Sequence, residues 1–112
     1  MDAITEMAEK LGKAIAESPA AAKLRECRKA LNQQPELLQT LKEYQEQAQK
    51  VGQLEEQNKP IEVEDKRRLQ ERHDTLVAND VFKRFTAAQV DYVDLMRKVN
   101  SVLRKHLSGI DE

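Results

Sequence analysis

No proline or glycine interrupts residues 80–107, and this run carries an apolar repeat of helical period. With Phe85 at heptad position a, Tyr92, Val99 and His106 also fall at a, and Ala88, Leu95 and Val102 fall at d. Phe82, Met96 and Leu103 fall at e, with Gln89 the one polar member. An a/d pair makes a two-stranded seam, whereas an a/d/e stripe is wider and touches two neighbours at once. The spacing predicts one helix over 80–107, roughly 42 Å long at 1.5 Å per residue, which a single partner helix cannot cover. Asn79 or Asp80 caps its start, and Ser108 and Gly109 end it.

The rest of the chain breaks into helical blocks at its three prolines. Ile4, Met7, Ala8, Leu11 and Ile15 form a first stripe. Ser18 before Pro19 is a good N-cap followed by a proline at the first helical position, so a second helix begins there. Its stripe is Ala20, Leu24, Cys27 and Leu31, and Cys27 reads as a small buried apolar side chain. These two short helices occupy residues 4–33. Pro35 opens a long helix over 35–57 with the stripe Leu37, Leu38, Leu41, Tyr44, Ala48, Val51 and Leu54. Gly52 lies inside it, as a site of close packing or of a bend. Pro60 stops that helix, and Glu62, Glu64 and Asp65 suit the first turn of a shorter one over 62–78.

The expected fold is therefore all-α and a single domain over residues 1–112. It is an antiparallel hairpin of long helices with short N-terminal helices beside it, assembling as a helical-bundle oligomer. Three of the four aromatic rings fall within residues 79–92 and should divide between two tasks. Phe85 and Tyr92 are expected inside the hairpin against Leu37, Leu41 and Tyr44. Phe82, Met96 and Leu103 are expected to meet another subunit or the first two helices, which makes them the candidate interface.

Composition narrows the function classes. Of the 112 residues, 35% are charged and 39% apolar, with Glu, Lys, Gln, Ala and Leu dominant, as in long helices. The net charge of −1 selects neither a polyanion nor an anionic membrane as partner. Charge is nonetheless segregated: residues 35–65 sum to −5 and residues 66–112 to +3. No window reaches the ~20 apolar residues of a membrane span, and the N-terminus lacks the basic and apolar regions of a signal peptide. A cytoplasmic protein without membrane partners is expected.

The residues form no catalytic or cofactor motif. Gly12, Gly52 and Gly109 stand too far apart for a phosphate loop, and His73 and His106 have no ligand motif around them. Cys27 is alone, so it forms neither an internal disulfide nor a four-ligand zinc site. The carboxylates alternate with Lys and Gln as on solvated helix faces and lack the apolar isolation of a general acid. No enzyme activity, metal or cofactor is expected. Lys66, Arg67, Arg68 and Arg72 form a basic cluster at helical spacing, with Glu71 and Asp74 among them and no interleaved aromatics. It is the candidate site for the alternative reading, a nucleic-acid-associated module.

Two stretches carry a family resemblance. "LGKAIAESPAAAKLRECRKALNQQPELLQTLKEYQ", followed after a linker by "LVANDVFKRFTAAQVDYVDLMRKVNSVLRKHL", resembles the YlbF/YmcA family over about residues 4–107. The likeness lies in "LGKAIAES" before the first cap, the N-x-x-P before a long helix, and the ND-x-x-x-x-F start of the last one. The resemblance implies a small all-helical cytoplasmic bacterial protein that self-associates through long helices. It also implies a regulatory or adaptor role without enzymatic activity, in complexes affecting competence, sporulation, biofilm formation and messenger-RNA processing. Some members are associated with an iron–sulfur cluster through cysteines; this chain departs there, with Cys27 alone. The leading expectation is a non-enzymatic helical adaptor, a homodimer or higher homo-oligomer that binds protein partners.

Overall fold

A computed structural model describes residues 2–110, which form five helices and no strand. These are α1 (Ala3–Ala16), α2 (Pro19–Asn32), α3 (Pro35–Glu56), α4 (Val63–Ala78) and α5 (Asp80–Leu107).

Local side-chain chemistry sets the breaks. Asp2 caps α1 by accepting the Thr5 N–H at 2.7 Å. The Ser18 hydroxyl serves two helices at once: it donates to the Ile15 carbonyl at 2.6 Å and accepts the Ala21 N–H at 3.2 Å. Pro19 then occupies the first position of α2, where a missing N–H costs nothing. Of the two candidate caps for α5, Asn79 is the one used, its side-chain oxygen accepting from the N–H groups of Val81 and Phe82 at 2.9 and 3.1 Å. The end of α3 corrects the sequence reading. Asn58, at φ 55°, turns the chain left-handed, and Lys59 N–H bonds the Leu54 carbonyl at 2.9 Å. That bond across six residues closes the helix before Pro60 is reached. Gly109 makes the corresponding left-handed turn after α5, at φ 89°.

The chain divides into two compact units. The first comprises the residues up to Arg28 and those from Phe85 onward. Its core is Leu24, Cys27 and Ala88, with the rings of Phe85 and Tyr92 packed against them, half-buried. Ala88 is only 2% exposed and lies between the two rings on one face of α5, three residues after Phe85 and four before Tyr92. Phe85 and Tyr92, expected against Leu37, Leu41 and Tyr44 of α3, thus pack on α2 instead. The small side chains Cys27 and Ala88 leave room at the centre for a ring on either side. The Arg28 guanidinium lies 5.9 Å from the Phe85 ring centroid and covers its outer face.

The second unit, Lys29–Arg84, holds α3 and α4, which pack along one another. Leu37, Val51 and Leu76 are its buried residues on these helices, and Leu76, at 1% exposed, is the most completely enclosed large side chain described. A polar clamp spans the pair. Gln47 donates to the Asp65 carbonyl at 3.1 Å and accepts from Arg72, whose guanidinium also lies 3.5 Å from Glu43. Tyr44 and His73 stack across the same interface in a tilted pair, ring centroids 6.0 Å apart.

Two substitutions test this packing. Nothing lies within 4 Å of the position a Cβ would take at Gly52, and α3 continues through it unbroken. Gly52 therefore neither admits a close neighbour nor marks a break, and Gly52→Ala should raise stability by about 0.5–1 kcal/mol in denaturant unfolding. Leu76→Ala should lower it by about 2–5 kcal/mol in the same assay.

Candidate functional site

An amphipathic helix contributes to a core by burying its apolar stripe, and α1 has no buried residue. Along its stripe cover is lost toward the N-terminus: Ile15 is half-buried, Leu11 is 38% exposed, Met7 69% and Ile4 80%. The stripe of α5 behaves alike at its far end. Tyr92, Leu95, Met96 and Val99 are half-buried, whereas Val102, Leu103 and Leu107 beyond them, and Ile110 in the turn after the helix, are exposed. Both stretches belong to the first unit.

Where α1 is still covered, a cleft of about 450 Å³ opens in the same unit. Its lining is mainly apolar, with Ile15, Leu24, Tyr92 and Met96 beside Gly12, Ala16 and Ala21. Arg25 and Arg28 line its rim. Arg25 donates to the carbonyl of Ala16 at 2.7 Å, which satisfies an acceptor left free at the end of α1. The cleft is thus an apolar slot with a cationic edge, continuous along α1 with the exposed stripe.

The three candidate interface residues are in unlike positions. Leu103 is exposed within the uncovered end of α5. Met96 is half-buried in the cleft, facing the first two helices. Phe82 is half-buried in the first turn of α5 and belongs to the second unit, with its N–H held by Asn79. The exposed residues of α1 were not singled out from the sequence. The signal was there, since Ile4, Met7 and Leu11 form a strong stripe, but a stripe does not say whether its own chain will cover it.

The basic cluster on α4 is largely ion-paired. Arg67 bonds Glu64 at 2.6 Å and Glu71 at 2.9 Å, Arg68 approaches Glu64 at 3.3 Å, and Arg72 is held by Glu43 and Gln47. The hydrogen bond from Arg67 holds the Glu64 carboxyl below its usual range. The pairs within α4 are exposed and add little stability, but all of them offset positive charge where a polyanion would need it. His73 stands 3.5 Å from Asp74 on the helix edge. Among the described residues no three His, Cys, Asp or Glu side chains gather as a metal would require. Cys27, 7% exposed, lies within the core.

A family model described as "Control of competence regulator ComK, YlbF/YmcA" matches residues 4–108 of the chain. No curated protein and no solved structure matches it. No helix among the described residues is long and apolar enough to cross a membrane.

The first turn of α1 carries a pH signature. The Thr5 N–H bond holds the Asp2 carboxyl below its usual range. A lowered folded pKa stabilises fully above the unfolded value, about 3.9, and that contribution is lost as pH falls through the folded value. Amide protection at Thr5 should accordingly be constant around neutral pH and decline only in acid. Asp2→Ala should lower it around neutral pH and converge with the wild type in acid, as read by hydrogen exchange.

Proposed function

This chain belongs to the YlbF/YmcA family, and we propose that it is a regulatory adaptor that works by self-association and by contacts with other proteins. The family is a regulatory one, described by control of a competence regulator, and the proposed role is the assembly of such a regulatory complex rather than chemistry on a substrate. One observation carries the reading: the two ends of the first unit present Ile4, Met7, Leu11, Val102, Leu103, Leu107 and Ile110 to solvent. Apolar residues scattered singly on a surface need no explanation, but rows of them at helical spacing on two helices mark an interaction face. The expected homodimer or higher oligomer follows from that face, as does binding of a further protein at the adjoining cleft.

The nucleic-acid alternative draws less support. Arg67, Arg68 and Arg72 are all engaged by carboxylates, which leaves Lys66 as the cluster's one cation in no ion pair among the described residues. Binding of RNA needs several unpaired cations along a backbone path.

Light scattering over a dilution series tests the proposal. The wild type should have the mass of a dimer or higher oligomer. Leu103→Asp combined with Ile4→Asp should reduce it to a monomer while circular dichroism stays helical. A wild type that is monomeric throughout would remove self-association from the account.

A further inference from the structure

Taking self-association from the reading above, we infer that the contact is reciprocal: the first turns of α1 of one copy lie along the last turns of α5 of a second copy. The same pairing is repeated in the other direction.

Three observations lead there. The first is charge. The N-terminal part of α1 carries Asp2, Glu6 and Glu9 with no base before Lys10. From Leu95 to Ile110 the chain carries Arg97, Lys98, Arg104 and Lys105 and no acid. One uncovered apolar stripe is thus bordered by acids and the other by bases, so they attract each other, while two copies of either stripe would repel. Acids at a helix start and bases at a helix end also suit each helix's own dipole. The dipole gives the sign at each end but does not account for apolar residues left in water between those charges.

The second is that, apart from Asp2, which caps α1, and Arg97, these charges enter no ion pair among the described residues. Among the described residues Glu6 and Glu9 enter no ion pair. Of the four cations only Arg97 does, reaching Asp94 of its own helix at 3.9 Å. An intrachain pairing of the two borders would have neutralised them.

The third is size and symmetry. Seven large apolar side chains lie uncovered on these two stretches, and a standard interface takes about 800 Å² from each partner. A two-fold axis makes each copy give and receive the same contact, so an α1–α5 pairing occurs twice and closes the assembly as a dimer. Two copies of α1 and two ends of α5 then form a four-helix arrangement in which each apolar stripe meets a second one. The exposure of α1, which increases steadily from Ile15 to Ile4, is what a helix leaving its own chain for a neighbour would show.

Charge exchange between two chains tests the pairing. One variant is Glu6→Lys with Glu9→Lys, and the other is Arg104→Glu with Lys105→Glu. Each alone should dissociate on the order of tenfold or more readily than the wild type, because its two borders now have like charge. An equimolar mixture should recover the dimer mass as a heterodimer, both reciprocal contacts then joining opposite charges. A single chain carrying all four substitutions should self-associate again. Circular dichroism of each variant excludes unfolding as the cause. A dimeric wild type whose variants stay dimeric alone, or fail to recover when mixed, overturns the reciprocal contact and leaves self-association standing. A wild type that is monomeric at every concentration overturns both.

Discussion

A helix with one apolar face must bury that face somewhere, and α1 does not bury it in its own chain. Its stripe of Ile4, Met7, Leu11 and Ile15 passes from half-covered to four-fifths exposed within four turns. Isolated helices of this length are marginal in water, since nucleation is costly and most helical stability in proteins comes from a packed face. A cap from Asp2 and the bond from Arg25 to the Ala16 carbonyl secure the two ends of α1. They do nothing for the middle. Cover for that middle is the missing term, and the exposed end of α5 has the matching need.

The core of the first unit does not extend to that stripe. Leu24, Cys27 and Ala88 form it, two of them small, flanked by two rings that are only half-buried. Such a core holds α2 to α5 around Phe85–Tyr92, and partial cover of α5 continues only as far as Val99. Beyond Val99 every residue of α5 is exposed. The second unit spends its polar side chains differently, with Gln47, Arg72 and Glu43 joining α3 to α4. Arginines that could have formed a basic surface are thereby drawn into ion pairs along and between helices.

Much of this was legible in the residues because helix limits are set locally. Ser18 before Pro19, Pro35 and the Asn79–Asp80 pair announce their breaks through a side chain or ring that acts within three residues of itself. The exception is also local: Asn58 adopts the left-handed turn that ends α3, two residues before the proline that first drew notice. What the pattern could not give is the neighbour. A heptad names the face on which Phe85 and Tyr92 lie, but α2 and α3 both offer apolar stripes, and the pattern does not choose between them. The uncovered state of Ile4 and Met7 was illegible for the same reason. Cover is a property of what stands opposite, and the opposite surface is not written in the helix itself.

The central claim is that a second copy of the chain covers α1. Amide hydrogen exchange along Met7–Lys13, measured across a wide range of protein concentrations, tests it most directly. The account predicts protection in α1 that grows with concentration and saturates, while amides around Leu76 in the second unit stay unchanged. Protection in α1 that is low and independent of concentration would contradict it.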